Sequence, residues 1–373
     1  MQIVRDRSRT PSPRPRHQWG KEGLPIVPGC TLRVTAAVIA TAGLFLAGAA
    51  CRRQGSPAGE TNQALSVYCS VDESIGRPIL ERYANRAGVE LSVTFDSEAG
   101  KTTGLYNKII SESQTGRPRA DVFWSSELFS TILLARQGLL APYVPAAAAD
   151  IPDRYKDPQN RWTAFALRGR VLAFDGKKVE ASGRPQSWED LAKPEFARHT
   201  AIANPLFGTT RGHVAAMFAL WGEKRGRDFL RALHNGGAQV LDGNSATVRA
   251  VAAGNARFAA TDADDVWMAL RSGTVLTFSF LDMGDGGTLM IPCSVGIIEG
   301  GPNTAAAQGL VDFLVSQEVE RMLAESPARH VPVRESLRAT LNMDAFTESK
   351  VSYDAVADAM DPAVKAVREI LLR

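Results

Sequence analysis

The sequence predicts an α/β fold in two lobes, each a mixed, mostly parallel sheet flanked by helices, and three observations carry this. From Ala64 onward, short apolar runs alternate with amphipathic helical stretches, the pattern of a sheet covered on both faces. A chain of 373 residues is long enough for two cores. Two extended segments, 162–174 and 288–298, are long enough to cross from one lobe to the other.

In order, residues 65–68 predict a strand and 78–87 a helix with Ile79, Leu80 and Tyr83 on one face, stopped at Gly88. Residues 91–95 alternate as a strand, and the next helix turns Leu105, Tyr106, Ile109 and Ile110 inward. A third strand spans 120–124, with a helix over 128–139. The crossing segment 162–174 is apolar apart from Arg168 and Arg170. A short helix at 187–191, a strand at 200–203 and helix from 212 to 233 come next, stopped by Gly236-Gly237. Residues 239–241 are a strand leading to a helix that ends at Gly254. Segment 258–265, Phe-Ala-Ala-Thr-Asp-Ala-Asp-Asp, runs as a buried strand into an acidic turn, and 266–270 is helical before Gly273. Strands at 275–280 and 288–298 and helices at 304–314 and 318–325 complete the pattern, and the remainder is mostly helical.

The N-terminus differs in kind. Residues 1–29 are Pro- and Arg-rich without apolar periodicity. Arg33 then precedes a short apolar run, 34–46, and a small-residue exit, Ala47-Gly48-Ala49-Ala50-Cys51, the layout of a secretory signal. The run is too short for a comfortable membrane span. The resulting plan is a leader at 1–51, a polar tether at 52–63, one lobe from 64–165 with 292–373, and the other from 166–291. The leader holds seven basic and two acidic residues, so its removal turns the net charge from +3 to −2. No nucleic-acid partner is implied. Beyond Cys30 and Cys51 remain Cys69 and Cys293, which export permits to pair and which equally suit buried free thiols. No metal-type cysteine spacing is present.

Six strand-to-helix turns carry polar groups suited to binding. The first lobe offers Asp72 and Glu73, then Ser97, Glu98, Lys101 and Thr102, then Ser125, Ser126 and Glu127. The second offers Thr209, Thr210 and Arg211, then Asn244 and Ser245, then Asp262, Asp264 and Asp265. Taken singly, Ser, Thr and Asn at helix starts serve as caps. At the acidic turn, Thr261 capping with Asp264 three residues on would complete a capping box, which accounts for one or two of the acids but not three. Taken together, clustered helix N-termini form an anion site to which Arg211 adds a two-pronged donor. The carboxylates suit a hard cation, with Glu98, Asp264 and Asp265 as candidate metal ligands. The expected ligand is a zwitterion, or a metal held with an anion.

Several stretches carry a family resemblance: Leu65-Ser66-Val67-Tyr68, Ala120-Asp121-Val122-Phe123-Trp124, Gly138-Leu139-Leu140-Ala141-Pro142-Tyr143, Ser187-Trp188-Glu189-Asp190-Leu191, and Gly300-Gly301-Pro302-Asn303 before Val311-Asp312-Phe313-Leu314. In order and spacing these resemble the ferric-iron-type periplasmic solute-binding proteins of bacterial ABC importers, from Ala64 to about Arg334. The resemblance implies a type II binding-protein fold with ligand enclosed between lobes joined by two crossing strands. It implies a monomer without a resident cofactor, delivering its solute to an inner-membrane permease. The leader also resembles a lipoprotein signal that would lipidate Cys51, apart from Gly48 where Leu is usual; cleavage after Ala49 or Ala50 is the alternative. Iron-binding members offer neighbouring tyrosines, whereas no two of the six tyrosines here are adjacent, and the corresponding region, 260–268, has none. Related members bind phosphorylated sugars or aminophosphonates.

An enzyme is the competing class. His199, His213, His234 and His330 lack metal spacing, and neither a Gly-x-Ser-x-Gly elbow nor a Walker loop occurs. A ligand-presenting sensor subunit is the third reading.

Overall fold

The computed structural model describes residues 64–96, 100, 102–343 and 345–372. The leader, Cys51, Ser97, Glu98 and Lys101 lie outside them. Among the described residues, no helix is long and apolar enough to cross a membrane.

The first half alternates β1 (Leu65–Cys69), α1 (Glu73–Ala87), β2 (Leu91–Phe95), α2 (Thr103–Gln114), β3 (Val122–Ser125) and α3 (Leu128–Arg136), with a two-residue β4 (Leu140–Ala141). Strand β5 (Thr163–Phe174) comes next, then α4 (Pro194–Ala197), β6 (Thr200–Ala203), α5 (Gly208–Asn235), β7 (Gln239–Leu241) and α6 (Asn244–Ala252). After these stand β8 (Phe258–Asp262), α7 (Ala263–Arg271), β9 (Thr277–Phe280) and β10 (Met290–Ile298). The chain ends in α8 (Thr304–Leu314), α9 (Gln317–Glu325), α10 (Glu335–Thr340), α11 (Tyr353–Asp358) and α12 (Met360–Ile370).

Among the described residues, eight strands hydrogen-bond in one continuous path, β2-β1-β3-β10-β5-β8-β6-β7, and β4 on β10 and β9 on β5 bring the sheet to ten. The pairs β1–β2, β1–β3, β6–β7 and β6–β8 are parallel, as strand–helix alternation demands. β10 and β5 run antiparallel to their neighbours and to each other. The first part of β5 pairs with β10, and its second part, from Arg170, pairs with β8. One strand therefore leaves the first half and enters the second, and β10 returns. This is the expected mixed α/β architecture with two crossings.

Burial agrees with this plan. Trp124, Phe123, Phe129, Phe165, Phe174 and Phe258 are fully enclosed, in one core that runs through both halves. A smaller cluster of Val171, Ala173, Ala201, Val248, Val251 and Val266 lies beneath α6 and α7. Helix α5 approaches α3 so closely that a Cβ on Gly212 would collide with the Phe129 ring. The C-terminal α11 packs on both α3 and α5, and α12 lies along α5 with Arg227 of α5 paired to Glu369. The C-terminal segment thus touches α5, although the sequence plan groups it with the first lobe alone.

Other differences are local. Helix α1 begins five residues before Pro78, which sits in its second turn and forfeits one backbone hydrogen bond there. Helix α5 starts at Gly208 and is interrupted at Gly222, whose φ of 81° is outside the helical region. Cys69 and Cys293 are both buried and are not joined in a disulfide.

Candidate functional site

Strand β5 supplies the centre of the site. Opposite β10, the register jumps from Phe165 beside Cys293 to Leu167 beside Pro292, so Ala166 is an extra residue, held at φ 53°. Such a bulge bends the strand and re-aims the side chains beyond it. Two residues apart on one face, Arg168 and Arg170 then point toward the ends of β8, α5 and α6. Both guanidinium groups are buried, Arg170 completely.

Asp262, last in β8, is the direct cross-strand partner of Arg170. Its Oδ1 accepts from Arg170 Nη1 at 2.7 Å. Its Oδ2 accepts from Thr209 Oγ1 at 2.5 Å and from Asn244 Nδ2 at 2.9 Å. Arg170 Nη1 also lies 3.4 Å from Thr209 Oγ1 and 3.3 Å from Asn244 Oδ1, while its Nε donates to His213 Nδ1 at 3.2 Å. Burial, then the Arg170 charge, holds the His213 imidazole well below its usual range, so it stays a neutral acceptor. Asp262 occupies the N-cap position of α7 without making a side-chain cap bond. The Thr261 hydroxyl reaches the Asn244 carbonyl at 3.4 Å. The capping-box expectation therefore fails, because the stronger buried charge on β5 takes Asp262 and Asn244 takes Thr261.

Asp264 is buried, its Oδ2 3.3 Å from Arg168 Nη1 and 3.4 Å from His330 Nε2. Arg168 also lies 3.7 Å from Asp262 and donates from Nη2 to the Ser126 carbonyl. Burial pulls the Arg168 pKa down, but the Asp264 and Asp262 carboxylates more than offset it, so the group stays firmly charged. Burial likewise opposes the His330 charge, yet Asp264 and Cys293 raise its pKa to about 9. Each of Asp262, Asp264 and Asp265 offers one ligand oxygen, all within 4.8 Å of one another. Two arginines and a protonated histidine stand among them, so this is not a bare acidic cluster.

Of these groups, Arg168, Asp264 and Asp265 border a narrow cleft of about 30 Å3, room for roughly two waters. The second half contributes Gly208, Thr209 and Thr210 at the start of α5, Gly243 and Asn244 at the start of α6, and Asp264 and Asp265 at α7. Arg168 of the crossing strand and Asp72 and Ser126 of the first half complete it. Neither α5 nor α6 has a side-chain cap, so both present N-terminal backbone groups and the positive end of their dipoles.

The remaining expected residues are used elsewhere. Both oxygens of Glu127 cap α3, accepting from the Phe129 and Ser130 amides at 2.7 and 3.2 Å, and burial pushes its carboxyl pKa up. Ser125 donates to the Glu127 carbonyl at 2.6 Å. Glu73 pairs with Arg77 on the exposed face of α1, for a helix pair four residues apart. Arg211 is buried beside Glu127 rather than on the cleft. Ser245 is half-buried behind Asn244 and does not line the cleft. Thr102 joins a hydroxyl cluster, 3.0 Å from Ser70 and 3.2 Å from Ser126. All six phenols are engaged away from the cleft: Tyr68 on Glu112, Tyr83 on Ala306, Tyr106 on Gln137, Tyr143 on Asp312, Tyr155 on Glu348 and Tyr353 on Met290. The sequence reading missed Arg168 and Arg170 as site residues. Their signal was present: two charges at i and i+2 in an otherwise apolar crossing segment.

Residues 118–353 match the family described as bacterial extracellular solute-binding protein. The chain belongs to that family. This solute-binding protein is 28% identical over 312 residues to a probable ABC transporter periplasmic-binding protein of Sinorhizobium fredii, covering 80% of this chain and 83% of that one. In fold it is similar to iron-bound HitA of Pseudomonas aeruginosa, at a TM-score of 0.72 and 22% identity over 82% of this chain and 99% of that one. It is also similar to AfuA of Actinobacillus pleuropneumoniae with fructose-6-phosphate bound, at a TM-score of 0.68 and 22% identity, covering 83% and 99%. The type II periplasmic binding-protein fold is thereby established. The Sinorhizobium fredii relative and AfuA are both named as periplasmic binding proteins.

Proposed function

We propose that this solute-binding protein is the extracytoplasmic receptor of an ABC importer, and that it takes a small organic solute bearing a phosphate, phosphonate or carboxylate group. The observation that carries this is the convergence of two uncapped helix N-termini, α5 and α6, on one cleft with Arg168, Thr209, Thr210 and Asn244. Free amides, hydroxyls and a guanidinium are the donors an oxyanion needs. Asp264 and Asp265 face the same space and suit an ammonium group or sugar hydroxyls. No tyrosine borders the cleft, which speaks against phenolate ligation of ferric iron. Because the cleft is narrow, the lobes open on β5 and β10 to admit solute and close around it. The leader exports the chain and Cys51 carries lipid; a permease receives the solute from a monomeric receptor that has no enzymatic turnover.

A second reading, a metal ion held together with an anion, rests on the three carboxylates within 4.8 Å. It is the weaker one, since both Asp262 oxygens already accept from Arg170, Thr209 and Asn244. Native mass spectrometry of the purified protein, then calorimetric titration with fructose-6-phosphate, inorganic phosphate and ferric citrate, separates the two. Saturable binding of the phosphate compounds supports the proposal. Binding of ferric ion alone, with no response to either phosphate, overturns it.

A further inference from the structure

We infer that the protein has a second small-molecule site, an apolar pocket behind the crossing strand, suited to a small aromatic or branched-chain monocarboxylate. This pocket has a volume of about 170 Å3, and its walls include Leu167, Trp267, Phe278, Phe280, Val331 and Phe346. An apolar cavity of ~150 Å3 in a protein core accommodates one benzene ring. The size therefore fits a single ring or a short branched chain.

Its polar edge is selective in sign. Arg168, Arg329 and His330 border it against one acid, Asp264. Arg168 Nε and His330 Nδ1 are buried and have no hydrogen-bond partner among the described residues. An unsatisfied buried donor is costly, and a carboxylate placed at this edge would relieve that cost. Arg329 stacks 4.7 Å over the Trp267 ring at the mouth and holds a left-handed backbone, φ 50°, which a non-glycine residue adopts only under constraint from its surroundings. An apolar box ending in cationic donors is the complement of an amphipathic monoanion. Arg168 and Asp264 also line the solute cleft, so the two spaces share a wall.

The test uses the mature full chain with benzoate as probe and benzamide as its neutral counterpart, read by ligand-observed NMR and calorimetry. Benzoate is expected to bind saturably, at least about tenfold more tightly than benzamide, without being displaced by inorganic phosphate. Filling the pocket from its partly exposed rim, Met343→Trp, should abolish benzoate binding while the cleft response to phosphate persists. His330→Gln should shrink the preference for benzoate over benzamide even if the filled variant folds poorly. Competition between benzoate and phosphate for one site, equal binding of both probes to the natural chain, or benzoate binding unchanged in Met343→Trp would each overturn the inference.

Discussion

The turns of the first half and those of the second carry the same residue types and use them differently. In the first half, the polar groups mostly serve their own element: Glu127 caps α3, Ser125 closes the same turn, and Glu73 pairs within α1. In the second half, Thr209, Asn244 and Asp262, from three separate turns, meet on Arg170. The difference lies in what faces them. β5 delivers two buried guanidinium groups to the second half, and an uncompensated buried charge costs more than a missing cap. Polar side chains are therefore drawn off local capping wherever a buried charge is in reach. A turn's residue types do not reveal its task until the strand opposite is known.

Removing that charge is the most direct way to break the contrast. Arg170→Met strands Asp262 in an enclosed site, and breaking a buried pair from one side typically costs about 3–5 kcal/mol. Chemical denaturation should show a loss of that size, and solute binding should disappear with the disordered α5 and α6 termini. An undiminished midpoint would mean that Arg170 does not organise these turns.

Asp264→Asn comes next. Charge repulsion among the three acids would by itself predict an equal or more stable apo protein. The structure reverses that expectation, because Arg168 and His330 lose their partner. Apo stability should fall by about 1–3 kcal/mol, and solute affinity should fall by about 2–5 kcal/mol if a cationic part of the solute meets this carboxylate. Paired calorimetry and thermal unfolding give both numbers. A raised melting temperature would restore the repulsion view.

His330 adds a pH signature. Its folded pKa of about 9 stands above the unfolded value near 6.5. The stabilisation it brings is therefore complete below about pH 6.5 and is lost as pH rises through 9. Stability of the natural chain should decline across that window, and His330→Gln should flatten the decline. Parallel slopes in both proteins would place the titration elsewhere.

The smallest effect belongs to the first half. Glu73→Ala removes only an exposed ion pair and should change stability by less than about 1 kcal/mol, with solute affinity untouched. A clear loss of binding in titration would return Glu73 to the site and erase the contrast between the halves.

Much of this protein was legible in its sequence. Apolar runs such as 65–68 and 200–203, the helix stops at Gly88 and Gly254, and the two long apolar crossings place nearly every element, because strand and helix periodicity are properties of neighbouring residues. The second-half residues Thr209, Thr210, Asn244, Asp264 and Asp265 were legible as well, since they come just after strand ends, where an α/β sheet exposes its loops. Tertiary structure alone decided which turns line the cleft and which merely cap. It turned Arg168 and Arg170 inward through one extra residue at Ala166, brought His330 to Asp264 from 66 positions away, and set Arg211 against Glu127. The physical reason is range: periodicity and capping act over a few residues, whereas the partner of a buried charge is fixed by register between distant strands.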